Sequence, residues 1–298
     1  MDQLVSLRAF VRLVELRTFS AAAADLRVKQ STLSKWIAGL EERLGVRLAD
    51  RTTRSVRITD AGQRFYLRAQ SILADYEDAI NEVREDARSL KGTIKLNIPI
   101  VFGERFVAPL IAEFLQQHSG VEVRLTCSDG YINLVEQAVD LAVRVGKPVD
   151  SSLMTHSLGA SPRRLVAAPA YLAERGTPST PEQLEAHDCL THSAQNGEVT
   201  WRFSRGGTTH KVPARGRAGT NHSGCTLEFV KAGLGVGLLA DWLVRDELQA
   251  QSLIPLLEQY AAPSAPIHAL TPPGRRVPAR VRALIVFLKN GIRASFPT

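Results

Sequence analysis

The segment from Asp60 to Leu90 contains no proline, and its only glycine, Gly62, falls in what would be the first helical turn. Its apolar residues alternate steps of four and three, the spacing of a heptad seam: Phe65, Ala69, Ile72, Tyr76, Ala79 and Val83. A lone helix of this length would expose that seam to water. We therefore expect a helix over residues 60–90 that pairs with the same helix of a second subunit, before Lys91-Gly92 ends it.

Three shorter helices are predicted before this segment. The first has an apolar face that begins at Leu4, and the second follows Ser20, a favourable N-cap, through four alanines. The third runs from Lys29 to Leu44, and Gly45 ends it. Its predicted buried stripe is Leu33, Trp36, Ile37, Leu40 and Leu44, which leaves an outward face of Gln30, Ser31, Ser34, Lys35 and Ala38. Alternating β-branched and basic residues over 51–59 then predict a small hairpin.

Positive charge is concentrated in this N-terminal part. The whole chain has a formal net charge of +7, and residues 1–58 hold eleven Lys and Arg against six Asp and Glu. A basic balance favours anionic partners such as nucleic acid or an anionic membrane surface. The second helix of a helix-turn-helix enters the DNA major groove, where Gln30, Ser34 and Lys35 would suit base edges. The basic hairpin suits phosphates or the minor groove. The alternative interpretation is a solvated polar helix face beside a basic loop.

After residue 92 the pattern changes to strands that alternate with helices, which predicts parallel sheets covered by helices. The predicted elements begin with strand 93–98, helix 102–118, strand 121–127, helix 132–139 and strand 141–145. A second α/β unit is expected over about 163–266, before a returning strand at 267–270 and a helix at 280–293. The glycines of Gly233–Gly237 follow a predicted helix and precede a predicted strand. This order is the reverse of a dinucleotide-binding loop, so we reject a nucleotide cofactor there.

Five short blocks occur in the order and spacing of one known family: Phe19–Ala23, Gln30-Ser31 with Ser34-Lys35, Leu40–Gly45, Arg51–Arg54 and Thr59–Gly62. On these blocks the chain resembles the LysR-type transcriptional regulators. The resemblance is strongest over residues 1–65. It continues more weakly through the rest of the chain: Gly146, Pro169–Leu172, His187–Leu190 and Gly233–Val236.

The resemblance implies a multidomain fold. A winged helix-turn-helix would occupy residues 1–59 and a dimerising linker helix 60–91. A two-lobed α/β effector-binding domain resembling type 2 periplasmic binding proteins would occupy 92–298. Its first lobe would comprise 92–162 and 267–298, and its second lobe 163–266.

The resemblance also implies a sequence-specific DNA-binding regulator of transcription. Its expected partners are double-stranded DNA with an interrupted palindrome, a small-molecule effector, RNA polymerase as a candidate, and itself as a homodimer or homotetramer. Gln30, Ser34 and Lys35 would contact bases, Thr32 a phosphate, and Arg54 the minor groove. The full predicted DNA-binding set is Gln30, Ser31, Thr32, Ser34, Lys35, Arg51, Thr53, Arg54 and Arg57.

The sequence departs from the family pattern at two positions. Lys29 stands where the family often has a Ser or Thr cap, which loses a cap worth roughly 1 kcal/mol and adds a cation. Ala49 stands where a Phe usually packs under the wing. We therefore expect a less rigid wing, and with it a less firmly placed Arg54.

By analogy with the family, the effector would bind between the two lobes. The expected contacts are Ile100, Val101, Phe102, Cys127, Ser128, Arg144, Gly146, His192, Thr220, Asn221 and His222. The helix that starts near Ile100 could hold an anion at its N-terminus, and Arg144, His192 and His222 could add positive charge. Our hypothesis is a small carboxylate or other anion. The alternative is that the histidines are merely hydrogen-bonded near strand ends.

Other function classes receive less support. The chain has no G-x-S-x-G, H-E-x-x-H or P-loop motif for an enzyme, and its N-terminus does not resemble the export signal that a solute-binding protein needs. Three cysteines without metal-ligand spacing fit free thiols, and Cys127 or Cys225 is either a redox sensor or an inert residue. We expect no catalytic activity, cofactor, metal or membrane span, and a cytoplasmic location on the nucleoid.

Overall fold

The computed structural model describes residues 2–51, 56–83, 90–130, 132–146, 152–191, 199–273 and 277–296. They form an N-terminal helical unit, a long helix and two α/β lobes. The predicted combination of a helix-turn-helix unit, a linker helix and a two-lobed α/β domain is therefore confirmed.

The N-terminal unit packs three helices against a two-stranded wing. Its elements are α1 (Gln3–Leu16), α2 (Phe19–Asp25), α3 (Gln30–Leu44), β1 (Ala49–Arg51) and β2 (Val56–Ile58). Phe10, Leu33 and Ile37 are almost fully buried between them. The predicted cap of α2 was wrong: Ser20 lies inside the helix, and Thr18 Oγ1 accepts the Ala21 N–H at 3.2 Å. The predicted buried stripe of α3 is wrong at its end, because Leu44 is 40% exposed.

The long helix α4 (Asp60–Val83) begins where the sequence predicted. One part of its seam packs inside the subunit, where Ala69 is fully buried with Leu73 against Leu7 and Val11 of α1. Ile72 and Tyr76 continue the same seam but are 45% and 42% exposed. The side chains of Ala79 and Val83 lie outside the described set. The exposed part of the seam is an apolar surface that the described residues leave uncovered.

The first lobe contains a five-stranded sheet in the order β4-β3-β5-β13-β6. The strands are β3 (Gly92–Ile98), β4 (Val121–Cys127), β5 (Leu141–Val145), β6 (Met154–Ser161) and β13 (Ala265–Thr271). β3 is parallel to β4 and β5, as predicted, but β13 is antiparallel to β5 and β6. The sheet is mixed because the chain returns from the second lobe and enters it in the opposite direction.

The helices of this lobe pack against the sheet. A helical segment comprises α5 (Ile100–Phe102), a π-helical turn (Gly103–Val107) and α6 (Ala108–Gln117), and α10 (Ala279–Ser295) packs beside it. The helix predicted over 132–139 is wrong. Asn133 Oδ1 accepts the N–H groups of Val135 and Glu136, and Ala138 has a φ of 50°, so the segment forms turns instead.

The second lobe contains a four-stranded sheet in the order β12-β7-β11-β8 and a separate hairpin of β9 and β10. The strands are β7 (Arg163–Ala167), β8 (Cys189–Leu190), β9 (Val199–Arg205), β10 (Thr208–Ala214), β11 (Val236–Ala240) and β12 (Ile254–Leu256). The helices are α7 (Pro169–Arg175), a 3-10 helix (Pro181–Ala186), α8 (Ser223–Lys231) and α9 (Asp241–Gln249). Because α8 precedes the glycines of 233–237 and β11 follows them, the predicted order of elements is confirmed.

Two chain segments connect the lobes, between β6 and β7 and between β12 and β13. Arg163 Nε donates to Pro263 O at 2.8 Å, which joins the two connections. Within the described residues, none of the helices combines the length and apolar composition needed to span a bilayer.

Candidate DNA-contacting face and ligand cleft

The first two turns of α3 present a polar face to solvent. Gln30, Ser31 and Lys35 are exposed, whereas Thr32 and Ser34 are half-buried. Leu33, Ile37 and Leu40 occupy the opposite side of the helix and are buried. The five α3 residues predicted to contact DNA therefore lie together at one end of the helix, on its outer side.

The start of α3 leaves backbone donors available. Lys29 is the N-cap residue, and its side chain makes no capping hydrogen bond, as its departure from the family pattern predicted. The first N–H groups of a helix lack intrahelical acceptors and attract anions. The α3 terminus thus offers N–H donors and the Lys29 cation next to the exposed face.

The wing is attached to α3 by Glu41. Its Oε1 accepts the N–H groups of Leu48 and Ala49, at 2.7 and 3.0 Å. Ala49 is buried, and Arg57 is exposed opposite Asp50 on the paired strand. Thr53 and Arg54 lie outside the described residues, as does the side chain of Arg51. Their DNA contacts remain predictions.

The Thr59–Gly62 block connects the wing to α4. Thr59 Oγ1 donates to Arg47 O at 2.8 Å and accepts the Gly62 N–H at 3.0 Å. A Cβ atom at position 62 would lie 2.1 Å from Leu48 O, so only glycine allows this approach of the two backbones. The block holds the wing against the start of α4.

Asp129 occupies the helix terminus at which we expected an anionic ligand. Its Oδ1 accepts the Ile100 N–H at 2.9 Å. Of the predicted contacts here, Ile100 is exposed and Val101 is half-buried. Phe102 is buried, with its ring centroid 5.9 Å from that of Trp242 and 6.3 Å from that of Phe296. Sequence reasoning missed Asp129, although it directly follows the predicted contact Ser128.

Arg144 is held by hydrogen bonds near the end of β5, close to Asp129. It donates to Asn97 Oδ1 at 2.6 Å, to Gly130 O at 3.4 Å and to Val143 O at 2.8 Å. Burial lowers the pKa of Arg144, and the nearby Asp129 carboxylate partly opposes that change. Asn97, which sequence reasoning also missed, is 2% exposed and donates to Thr126 Oγ1 at 2.8 Å.

The remaining first-lobe contacts lie near the same strand ends. Cys127 is exposed at the end of β4. Ser128 Oγ donates to Asn97 Oδ1 at 3.4 Å, and the Ser128 N–H donates to Ile98 O. Gly146 has a φ of 107° and donates its N–H to Pro266 O at 2.8 Å.

The second lobe contributes the residues before and at the start of α8. Thr220 Oγ1 accepts the His222 N–H at 3.1 Å, and Asn221 is exposed. His222 is the N-cap of α8, where its Nδ1 accepts the Cys225 N–H at 3.2 Å. His222 Nε2 lies 4.0 Å from Asp129 Oδ2, so side chains of the two lobes face each other. His192 lies outside the described residues.

A polar contact joins the first lobe to the N-terminal unit. Lys95 Nζ donates to Gln70 Oε1 at 2.7 Å, and Gln70 Nε2 donates to Tyr66 OH at 2.7 Å and Glu15 Oε1 at 3.5 Å. Burial lowers the pKa of Lys95, while the Asp140 and Glu15 carboxylates oppose that change. A cavity of about 880 Å³ lies at this junction, and residues of α1, α4, β3 and β4 line it.

The three cysteines have different surroundings. Cys127 and Cys225 are exposed, whereas Cys189 is buried and burial raises its pKa to about 11. Among the described residues, no group of three or more His, Cys, Asp or Glu side chains has an arrangement suited to a metal ion.

Comparison with known proteins gives matches over nearly the whole chain. Residues 4–63 match the family described as bacterial regulatory helix-turn-helix protein, lysR family, and residues 87–293 match the LysR substrate binding domain. The transcriptional regulator CrgA of Neisseria meningitidis is 34% identical over 95% of this chain and 94% of its own. The regulator PtxR of Pseudomonas aeruginosa is also 34% identical, over 95% of this chain and 91% of its own.

Solved structures show the same arrangement of domains. The structure of CrgA has a TM-score of 0.56 and 32% identity, covering 97% of this chain and 98% of that chain. The full-length structure of AphB, a virulence activator of Vibrio cholerae, has a TM-score of 0.56 and 25% identity, covering 97% of this chain and 99% of that chain.

Proposed function

Because the chain belongs to the LysR family of transcriptional regulators, with a helix-turn-helix and an effector-binding domain, we propose that α3 contacts operator bases through Gln30, Ser34 and Lys35. The observation that carries this assignment is the common exposure of Gln30, Ser31 and Lys35 at one end of α3. Gln pairs with adenine through two hydrogen bonds, and Lys donates to guanine acceptors. The Ser hydroxyl can either donate to a base or accept from one.

Backbone contacts would flank these base contacts. We assign Ser31 and Thr32, beside the free N–H groups of α3, to a phosphate. Arg51, Thr53 and Arg57 would contact phosphates from the wing, and Arg54 the minor groove. Phosphate contacts position a protein without specifying sequence, and they make binding depend on salt concentration.

The active form would be at least a dimer. Ile72 and Tyr76 leave the α4 seam exposed in one subunit, and the same helix of a second subunit would cover them. Two such dimers would form a tetramer on an interrupted palindrome.

RNA polymerase is the partner through which bound protein would change transcription. DNA binding would hold the protein on the nucleoid, and we propose no catalytic role.

The effector would bind between the lobes, against Ile100, Val101, Ser128, Arg144 and His222. A guanidinium carries five donors, and the described contacts of Arg144 use three, which leaves two for a ligand carboxylate. We therefore propose a small carboxylate that Arg144 binds. It would not occupy the α5 terminus, because Asp129 is bonded there.

Fluorescence anisotropy on the DNA upstream of the protein's own gene tests the assignment of α3. We expect Gln30→Ala to weaken binding by about tenfold or more, the value of one bidentate base contact. Gln117→Ala is the matched control, because Gln117 lies on α6 and is bonded only to Glu113 among the described residues. Equal binding of scrambled DNA, or an unchanged affinity of Gln30→Ala, would contradict the assignment.

A further inference from the structure

Two polar atoms of opposite hydrogen-bonding capacity face each other across the cleft. Asp129 follows β4 in the first lobe, and His222 precedes α8 in the second. His222 Nε2 lies 4.0 Å from Asp129 Oδ2, and the two side chains are 29% and 11% exposed. This distance exceeds that of a hydrogen bond, so the two atoms do not satisfy each other directly.

The capping bond of His222 determines which of its ring nitrogens is the donor. Nδ1 accepts the Cys225 N–H, so it bears no proton. In the neutral ring the proton is then on Nε2, the atom that faces Asp129. Gly224 leaves room for the ring in this position, because a Cβ atom there would lie only 2.9 Å from His222 Cε1.

Asp129 presents a buried acceptor. Its Oδ1 accepts the Ile100 N–H, which fixes the orientation of the carboxylate. Its Oδ2 is buried and has no hydrogen-bond partner among the described residues. Buried acceptors without a partner are rare and costly, because the desolvation of the oxygen is not compensated.

A hydroxyl group meets both requirements at once. An oxygen about 2.8 Å from each of the two atoms would form an angle of about 90° between them, close to hydroxyl geometry. It would accept from His222 Nε2 and donate to Asp129 Oδ2. An ammonium group cannot accept from Nε2, and a carboxylate cannot donate to Oδ2. We propose that His222 and Asp129 bind a hydroxyl group of the effector.

Combined with the proposed carboxylate contact of Arg144, this pair defines the ligand class as a small hydroxycarboxylate. This inference rests on the proposed effector role of the cleft. The carboxylate would bind the free donors of Arg144, and the hydroxyl would lie between the lobes. A ligand in this position would contact both lobes and stabilise one relative arrangement of them.

Titration calorimetry of the full-length protein with matched probes tests the proposal. The probes are 2-hydroxypropanoate and 3-hydroxybutanoate, each compared with its deoxy and its amino analogue at up to low millimolar concentration. We expect at least one hydroxy acid to bind about tenfold more tightly than its deoxy analogue, the value of a buried hydrogen-bonded hydroxyl. The amino analogue should bind no more tightly than the deoxy acid.

Two variants assign that preference to the pair. In Asp129→Asn, the Ile100 N–H keeps the amide oxygen at the Oδ1 position and places the NH2 group, a donor, opposite His222 Nε2. In His222→Asn, the new side chain still caps α8 but lacks the Nε2 donor. Both should lose the tenfold preference while keeping the wild-type melting temperature. His210→Asn, which changes a histidine paired with Glu182 in the β9–β10 hairpin, should keep the preference.

The possible failures are distinguishable. Binding without preference for the hydroxyl, tighter binding of the amino analogues, or no binding of any hydroxy acid would overturn the proposal. If acids bind without preference but change DNA affinity, the effector role of the cleft stands and the hydroxyl assignment is wrong. If the preference is found and DNA affinity does not respond, the hydroxyl assignment stands and the effector role is wrong.

Discussion

The α3 face and the ligand cleft differ in how their polar side chains are bonded. On α3, the side chains of Gln30, Ser31 and Lys35 are exposed and make no hydrogen bond within the described part of the chain. In the cleft, Asn97, Asp129 and Arg144 are bonded to one another or to the backbone. The α3 face can therefore change its contacts without affecting the fold, whereas a substitution that breaks one of these hydrogen bonds in the cleft lowers stability.

The scaffold beneath α3 provides the sharpest contrast with its exposed face. Gly62→Ala would place a Cβ atom 2.1 Å from Leu48 O, a backbone atom that cannot move without shifting the wing. We expect a loss of about 3 kcal/mol in the free energy of unfolding of the DNA-binding unit. Urea denaturation followed by circular dichroism measures it.

Gly130→Ala is the control, since a Cβ atom there would meet nothing within 4 Å. A Gly62→Ala variant as stable as this control would show that the α4 junction tolerates a side chain. The contrast between a tightly packed scaffold and an exposed α3 face would then be wrong.

The second prediction concerns the cleft itself. Asn97→Leu keeps the branching and the number of heavy atoms of the side chain but removes the acceptor of Arg144 and the donor to Thr126. We expect a loss of about 2 kcal/mol in the unfolding free energy of the effector-binding domain, because a hydrogen bond to a charged group is lost inside the protein. The same denaturation experiment applies.

Asn290→Leu, on the exposed side of α10, should change stability by less than about 0.5 kcal/mol. If Asn97→Leu behaves like Asn290→Leu, the internal bonding of the cleft does not stabilise the fold. The cleft would then resemble the α3 face.

This contrast also explains what could be predicted from the sequence. The α3 face comes from contiguous residues, so helical spacing alone places Gln30, Ser34 and Lys35 together. The cleft joins residues more than 90 positions apart, such as Asp129 and His222, and the packing of the two lobes brings them together. Asn97 faces Arg144 because β3 pairs with β5, a pairing that local patterns do not encode. The antiparallel direction of β13 could not be predicted either, because it depends on how the chain returns from the second lobe to the first.

The third prediction concerns the polar contact between the N-terminal unit and the first lobe. Gln70→Ala removes the acceptor of Lys95 Nζ and the donor to Tyr66 and Glu15. We expect a loss of about 1 kcal/mol in unfolding free energy, because the half-buried ammonium keeps only partial solvation. The matched control is again Gln117→Ala, a helical glutamine with an exposed partner. Equal stabilities would mean that the DNA-binding unit and the first lobe are not coupled through Gln70.

The smallest effect is a labelling pattern that leaves stability unchanged. Cys127 and Cys225 are exposed at the cleft, whereas Cys189 is buried in the second lobe and burial raises its pKa to about 11. The thiolate is the nucleophile, so iodoacetamide near pH 8 should modify Cys127 and Cys225 and spare Cys189 in the native protein. Peptide mass spectrometry measures each site.

Protection of Cys225 by a bound hydroxycarboxylate would place the ligand beside His222, because Cys225 N–H is bonded to that ring. Labelling of Cys189 at the rate of Cys127 would mean that the second lobe opens in solution, and the cleft would then be a flexible surface like the α3 face rather than a preformed site.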